Sequence, residues 1–287
     1  MRVPLRVRYK FSLHGLHLLV CLVLVAPGCE NRITELDGGI DADDGLADDG
    51  DNQAADFDGG ADLYDGGPDR PWADWDSDPR CSSLIGLEGE QLRNALVELV
   101  DNHTALSYEG ARDEIFTDID NIDGQVQCVY TGVWITTDIV PSNDIMNVEH
   151  TWCQSWGADT LPAKSDLNHL FPAITGVNST RSNYPFGEVI EVSWSSGGSK
   201  RGLDGWGTVV FEPRDEHKGD CARALFYFSV RYNMEIEDRM EQVIRGWNWA
   251  DLPDAKEETR CDRIEQLQDT RNPFVDCPEL VDRISNY

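Results

Sequence analysis

The chain has 287 residues, enough for one or two domains with a sizeable hydrophobic core. It carries 53 acidic and 24 basic residues, a formal net charge of −29, and 40% of its residues are hydrophobic. This composition excludes a wholly disordered chain, a basic protein that coats nucleic acid and a polytopic membrane protein. It indicates no activity by itself, so the function has to be inferred from short motifs.

Residues 1–28 have the organisation of a signal peptide. Four basic residues precede a mostly apolar run over residues 11–26, and small residues then lead to Cys29. The run is short for a transmembrane helix, so we expect an exported protein. The residues before Cys29 resemble a bacterial lipoprotein cleavage box, which predicts a lipid anchor on Cys29 and attachment to a membrane. An ordinary secretory signal cleaved nearby is the alternative.

Residues 29–80 form a segment rich in aspartate and glycine. Within it, residues 31–80 contain 16 acidic and 3 basic residues. Mutual repulsion and the scarcity of apolar side chains predict a disordered, solvated tether. A calcium-binding module is the alternative, but the spacing of a calcium loop is not met.

Residues 81–287 show the patterns of a single α+β domain. Apolar residues at helical spacing predict an amphipathic first helix, and three further helices follow the same reasoning. Alternation at Val126, Cys128 and Tyr130, continued at Val133 and Ile135, predicts one or two strands. The predicted helices cover residues 92–100, 222–234, 236–244 and 260–268.

The cysteines of this domain are even in number, which favours disulfide bonds in an exported protein. Their spacing lacks the paired pattern of a zinc site. The sequence leaves the pairing open. The candidate disulfide cysteines are Cys81, Cys128, Cys153, Cys221, Cys261 and Cys277.

Residues 147–188 have the strongest chemical character. Glu149 is followed directly by His150, and Asn178 comes in a later motif. A carboxylate and a side-chain amide suit Mg²⁺, which takes few protein ligands and keeps several waters. An imidazole beside such an ion can accept a proton from water near neutral pH. A metal ion and a base are sufficient for phosphodiester hydrolysis.

Each of these residues also has a purely structural explanation. A lone Glu-His pair is usually a surface feature or a satisfied hydrogen bond. Asn178 begins a glycosylation sequon, and Asp166 and His169 could simply cap and brace a helix or turn. Arg181 lies three residues after Asn178, on the same helix face if this segment is helical, where it could hold phosphate in a bidentate way.

Three segments in fixed order carry a resemblance to a known family. They are residues 147–152 (NVEHTW), 164–172 (KSDLNHLFP) and 176–188 (GVNSTRSNYPFGE). In combination they resemble the endonuclease I family of exported bacterial nucleases, members of the His-Me finger (ββα-metal) superfamily, and the similarity extends over most of residues 90–285. The resemblance implies an α+β fold in which a ββα-metal nuclease core is embedded in additional helices.

The resemblance also implies roles by position, and cleavage to 5′-phosphate and 3′-hydroxyl ends. His150 matches the general base, and Glu149 and Asn178 match the ligands of one Mg²⁺ ion (or Mn²⁺ or Ca²⁺). Arg181 matches a catalytic motif position, to which we assign a phosphate contact. Asp166 and His169 match positions that brace the site.

The chain departs from the family at several points. Some relatives carry a longer insert after the Glu-His motif, with an arginine thought to stabilise the transition state, whereas residues 151–165 contain no arginine. Asn168 stands where relatives commonly have histidine, which argues against a metal role there. The acidic domain is unusual for a DNA-binding protein. Four basic residues could form a local positive patch that attracts phosphate, or they could belong to an evenly solvated helix face. They are Arg214, Lys218, Arg223 and Arg231.

We therefore expect an exported, lipid-anchored, monomeric endonuclease without sequence specificity, acting on DNA and with RNA as a further candidate substrate. One rival hypothesis is a catalytically degenerate surface lipoprotein that binds a cation or a partner on the same scaffold. Another is a structural lipoprotein whose acidic tether binds calcium or polycations. The presence of Glu149, His150 and Asn178 together favours the enzyme.

Overall fold

The computed structural model describes residues 79–287. The predicted signal peptide, Cys29 and all but the last two residues of the predicted tether lie outside the described residues. In the described part of the chain, none of the helices combines the length and the apolar character needed to cross a membrane.

The helices account for much of the domain. The first one buries Leu92, Leu96 and Val100 along one stripe, as the helical spacing predicts, while Leu99 remains 48% exposed. The helices are α1 (Gly89–Val100), α2 (Tyr108–Glu114), α3 (Thr175–Arg181), α4 (Lys218–Tyr232), α5 (Asp238–Ala250), α6 (Ala255–Gln268) and α7 (Pro273–Asp276).

Helix α4 is the centre of the hydrophobic core. Its residues are buried on nearly all sides, as expected of a helix that other elements surround. It starts at Lys218, four residues before the predicted start, and ends at Asn233 in the left-handed conformation that terminates many helices. Helices α5 and α6 are also longer than predicted. Helix α5 extends beyond the predicted C-terminal end to Ala250, and α6 begins five residues earlier than predicted, where the side chain of Asp254 caps its first turn.

Three small antiparallel sheets complete the α+β fold that the sequence predicts. They have the orders β1-β2-β3, β4-β5 and β6-β7-β8. The strands are β1 (Asn121–Ile122), β2 (Gln125–Gln127), β3 (Trp134–Thr136), β4 (Met146–His150), β5 (Leu170–Ile174), β6 (Glu191–Ser196), β7 (Ser199–Leu203) and β8 (Val209–Glu212).

The predicted strand through Tyr130 is wrong beyond Gln127. The chain turns between Cys128 and Gly132, whose amide donates to the Cys128 carbonyl oxygen, and then returns as β3. Gly132 has a φ of +70°, which favours glycine. Cys128 and Tyr130 are buried by tertiary packing around this turn, so their alternation with polar residues imitates a strand.

Strands β4 and β5 and helix α3 follow one another as a ββα unit. The two strands pair antiparallel from Met146–Ile174 to His150–Leu170. The chain then enters α3 directly after β5, and this short helix packs against both strands. The unit brings the second and third sequence motifs back to the end of β4, where the first motif lies.

The cysteine prediction is correct for one pair and wrong for the other four residues. Cys81 and Cys277 form a disulfide bond. Cys128, Cys153, Cys221 and Cys261 are free and buried, and they serve as small core residues. Two of them have backbone oxygen partners, since the thiol of Cys153 donates to Ser182 and that of Cys261 to Asn272. Burial raises the pKa of Cys153 to about 11 and that of Cys261 to about 12, so both stay thiols.

The Cys81–Cys277 bond closes nearly the whole described chain into one loop, with a sequence separation of 196. Because the entropy removed from the unfolded chain grows with loop length, we expect Cys277→Ser to lower the free energy of unfolding by about 2–5 kcal/mol in urea titrations. Reductant should lower the stability of the parent by the same amount and leave Cys277→Ser unchanged. A further loss in the reduced variant would show that other disulfides exist.

Candidate active site

Strand β4 delivers two neighbouring polar residues to its end. Successive side chains of a strand point to opposite faces, so Glu149 and His150 enter different surroundings. Both are buried, with 2% and 7% of their surface exposed. The chain bends directly after His150, and this strand-end placement allows the two residues to serve one site.

The carboxylate of Glu149 is enclosed beside one cation. Its Oε1 lies 2.9 Å from Nε of Arg181, and both side chains are almost fully buried. Burial raises the pKa of Glu149 to about 7, while the Arg181 guanidinium and the hydroxyl of Tyr130 act in the opposite direction. Oε1 has no well-aligned hydrogen bond within residues 79–287. A further cation beside this carboxylate would stabilise its charged form.

Arg181 uses its guanidinium on protein groups. Nη1 donates to the backbone oxygens of Ser182 and Tyr184 at 3.0 and 2.9 Å, and Nη2 donates to that of Thr151 at 3.2 Å. Burial alone would lower the pKa of Arg181, but the charge of Glu149 raises it above the usual value. The phosphate contact predicted from the sequence would require Arg181 to leave these partners.

Asn178 lies on α3 next to the end of β4. Its Nδ2 donates to Oδ1 of Asn147 at 2.9 Å and to the backbone oxygen of Val148 at 3.3 Å. These two hydrogen bonds hold the amide against Asn147 and Val148, the two residues that precede Glu149 on β4. Oδ1 of Asn178 accepts no hydrogen bond from any residue in the range 79–287, so it is available to a ligand.

Glu149 and Asn178 fit a hard divalent cation by the chemistry of their donors. Glu149 offers a carboxylate whose pKa is raised by burial, and Asn178 offers an amide oxygen. Mg²⁺ is commonly held by one or two such ligands and several waters. The described chain contains no group of three His, Cys, Asp or Glu residues that could form a metal cluster, unlike a tetrahedral zinc site or an acidic calcium loop.

His150 faces a separate part of the site. Its Nε2 lies 3.1 Å from the backbone oxygen of Lys164, and a donating Nε2–H leaves Nδ1 as the proton acceptor. The side-chain amide nitrogen of Gln154 lies 3.4 Å from each ring nitrogen. Burial, followed by the neighbouring His169, lowers the pKa of His150 to about 3. The imidazole is therefore neutral at neutral pH, which is the form that a general base requires.

Asp166 anchors the loop between β4 and β5 to helix α4. Its carboxylate accepts hydrogen bonds from the hydroxyls of Tyr227 and Tyr232 at 3.0 and 2.8 Å, and from the backbone nitrogen of Asn168 at 3.1 Å. Nε of Arg231 lies 3.2 Å away. The Asn168 side chain also donates to Asp166 and is buried, so Asn168 is part of this anchor.

His169 supports His150 through ring packing. The centroids of the two imidazoles lie 5.6 Å apart with a T-shaped arrangement, and the ring centroid of Phe228 lies 4.7 Å from that of His169. Nε2 of His169 bonds to the backbone oxygen of Ala163 at 2.7 Å. These contacts are the kind of bracing that the sequence motif predicts for Asp166 and His169.

Two neighbours of the site were not singled out by sequence reasoning. Tyr130 approaches Glu149 from the turn that had been predicted as a strand. The backbone oxygen of Lys164 lies 3.1 Å from Nε2 of His150. The Nζ of Lys164 lies 5.2 Å from the centroid of the Tyr108 ring, and the ring centroids of Tyr108 and His150 are 5.6 Å apart. Lys164 is the first residue of the second motif (residues 164–172), and this position is the one signal that could have identified it.

The predicted basic patch is wrong. Arg223 is fully buried against Glu257, and Arg231 pairs with Asp166. The evenly solvated face is also wrong, because the side chains of Arg223 and Arg231 are buried. The remaining two pairs are Lys218 with Glu212 and Arg214 with Glu216.

The ββα unit carries Glu149 and His150 on β4 and Asn178 on the adjoining helix α3. A family model described as Endonuclease I matches residues 88–279. The chain therefore belongs to the endonuclease I family, and it is an enzyme that hydrolyses phosphodiester bonds of nucleic acids.

The relatives include nucleases named for both nucleic acids. An extracellular ribonuclease of Bacillus subtilis (strain 168) is 30% identical, over 76% of this chain and 81% of its own length. An extracellular ribonuclease of Bacillus amyloliquefaciens is 32% identical over 73% and 78%. An extracellular deoxyribonuclease of Aeromonas hydrophila is 30% identical, over 39% of this chain and 50% of its own length.

The buried ion pair gives a stability prediction. Arg181→Leu leaves the Glu149 carboxylate buried without its cation, which costs about 3–5 kcal/mol of the free energy of unfolding. Adding Glu149→Gln removes the stranded charge and should restore at least half of that loss. Urea titrations of the two single variants and the double variant measure both effects. A loss below about 1 kcal/mol for Arg181→Leu would mean that the pair does not hold the site together.

Proposed function

We propose that this protein is an exported, metal-dependent endonuclease in which Glu149 and Asn178 hold one Mg²⁺-type ion and His150 is the general base. One observation carries the proposal. A neutral imidazole directly follows a buried carboxylate with a raised pKa, and a side-chain amide with an open oxygen is held at the two preceding residues of the same strand, Asn147 and Val148. When bound, the ion would stabilise negative charge on the phosphate and on the leaving oxygen.

His150 supplies the base function. The Lys164 carbonyl orients the ring through Nε2, so Nδ1 is the atom that takes the proton from the attacking water. A base works best when its pKa lies near the ambient pH, and the buried ring by itself has a much lower pKa. The negative charge of a substrate phosphate beside the ring would raise that pKa towards neutrality.

Arg181 takes a positioning role in this proposal, in place of the phosphate contact. Its guanidinium fixes one oxygen of Glu149 and ties α3 to the chain after β4 through Thr151. The carboxylate is thereby held in one orientation before any ion arrives, and such support strengthens metal binding.

Lys164 is the cation that we assign to the substrate phosphate. Its side chain forms no ion pair with a residue of the described range, and its Nζ lies over the Tyr108 ring on the His150 side of the site. Its charge also contributes to the low pKa of His150, which places it within electrostatic reach of the base. An ammonium here can neutralise charge that develops on the phosphate.

We expect both DNA and RNA to be substrates. Hydrolysis by an activated water does not use the ribose 2′-hydroxyl, so the same residues can cut either backbone to 5′-phosphate ends. The names of the relatives, ribonuclease and deoxyribonuclease, support this breadth. Their descriptions as extracellular or periplasmic support export. The lipid anchor on Cys29 and the monomeric state stay predictions.

The roles of base and ligand separate in one set of variants. His150→Ala should lower the cleavage rate by about 10²–10⁴-fold and leave Mg²⁺ affinity within a few fold, because the base does not bind the ion. Glu149→Gln should weaken Mg²⁺ binding, with activity partly rescued by excess metal.

Calorimetric Mg²⁺ titration and plasmid nicking measure these two quantities. Glu98→Gln, at an exposed carboxylate of α1, is the control and should match the parent in both. Full activity of His150→Ala would refute the base assignment. Intact Mg²⁺ binding with no cleavage in the folded parent would favour the catalytically degenerate scaffold.

The assignment of Lys164 is tested by its charge. Lys164→Met should lower kcat/KM by about 10²-fold, and Lys164→Arg should retain most of the activity, because a single donor to a developing oxyanion is worth about that much. Lys256→Met is the matched control, since the ammonium of Lys256 donates to Gln127 on strand β2. Equal activities of Lys164→Met and the parent would exclude a phosphate contact.

A further inference from the structure

A cavity of about 340 Å³ opens beside the ββα unit and has no part in the proposed chemistry. Its walls are apolar and its rim is polar. Trp152 is buried and Trp156 is half-buried, and their rings meet edge to face with centroids 6.1 Å apart. The thioether side chains of Met234 and Met240 also line the cavity. This volume lies within the range of pockets that hold small organic groups.

The cavity is connected to the active site through two short links. Trp156 contacts Arg181, with the guanidinium carbon 5.4 Å from the ring centroid, and Arg181 holds Glu149. Gln154 lies on the same single helical turn as Trp156 and contacts His150. One arginine side chain therefore separates the indole from the carboxylate proposed to bind metal.

The charge at the rim decides which part of a nucleic acid can enter. Glu235 and Glu237 line the cavity, and their negative charges repel phosphate. A nucleobase carries no charge and stacks on indole rings irrespective of the backbone sugar. The cavity therefore suits a base, while the adjoining phosphate stays outside it.

The two rim carboxylates are not equivalent. Glu237 caps helix α5 by accepting a hydrogen bond from the backbone nitrogen of Met240 at 3.0 Å. Glu235 is exposed and accepts no hydrogen bond from the described part of the chain. A carboxylate can accept two parallel hydrogen bonds. Among the four common bases of either nucleic acid, guanine presents two adjacent N–H donors, N1 and N2, on its pairing edge.

We propose that this cavity is a guanine subsite, in which the base stacks on Trp156 and donates from N1 and N2 to the carboxylate of Glu235. The proposal rests on the nuclease function proposed above. The pairing edge of guanine is occupied in a duplex, so the subsite takes unpaired bases. The enzyme should then cut single-stranded DNA and RNA preferentially at a fixed position relative to guanine, and cut paired segments with little regard to sequence.

The test maps the cleavage sites of the full-length protein. Single-stranded DNA and RNA libraries of random sequence are digested to low extent, and the bases flanking each cut are counted. The parent should favour guanine at one flanking position by at least fivefold. Glu235→Gln keeps the shape of the rim and removes one acceptor, so the preference should fall below twofold while cleavage at sites without guanine stays within twofold of the parent.

Two further variants distinguish stacking from general damage to the protein. Trp156→Phe retains an aromatic face and should keep a reduced guanine preference, whereas Trp156→Ala should lose it. Trp134→Ala removes an exposed indole on β3, beside Lys256, and should leave the preference unchanged. If Trp156→Ala does not fold, Glu235→Gln still decides the question.

The outcomes separate this proposal from the one on which it rests. No metal-dependent cleavage by the folded parent would refute the nuclease mechanism. Cleavage without a base preference, or a preference that Glu235→Gln leaves intact, would refute the guanine subsite and leave the nuclease mechanism standing.

Discussion

The buried ion pair between Glu149 and Arg181 is the interaction on which the site depends. Both side chains are nearly inaccessible to water, so each charge is costly unless the other is present. Three backbone carbonyls share the guanidinium, and the pair thereby joins β4, α3 and the loop after β4. Even so, burial leaves Glu149 with a raised pKa. A divalent cation bound beside the Glu149 carboxylate would stabilise its charged form.

The packing around helix α4 makes this arrangement possible. Asp166 is tied to α4 by two tyrosine hydroxyls, and His169 is packed between Phe228 and His150. The imidazole of His150 is therefore positioned by the hydrophobic core through one intermediate ring. The acidic character of the chain does not conflict with nuclease chemistry at this site, because the proposed chemistry uses only a few charged side chains in fixed positions. Most other cationic side chains of the domain are paired with carboxylates.

The sequence predicted the α+β class, the four helices α1, α4, α5 and α6, and the motifs that the ββα unit brings together. It did so because helical periodicity is local and because the three motifs are specific in combination. It failed where tertiary contacts decide the outcome. Tyr130 is buried in a turn that imitates strand alternation, four cysteines fill the core unpaired, and Arg181 is turned inward by Glu149. Spacing places Arg181 and Asn178 on one helix face, but it does not say which partner the guanidinium will meet.

The most direct test of the central claim is cleavage by the wild-type protein of supercoiled plasmid and of single-stranded RNA, with Mg²⁺ and with EDTA, followed by analysis of the product ends. The account predicts cleavage of both substrates that requires the metal and leaves 5′-phosphates, because an activated water attacks in each case. Cleavage that persists in EDTA, or RNA products with 2′,3′-cyclic phosphates and intact DNA, would contradict it. The first result would show that Glu149 and Asn178 do not support a metal-dependent reaction, and the second would show that the 2′-hydroxyl of RNA is the nucleophile.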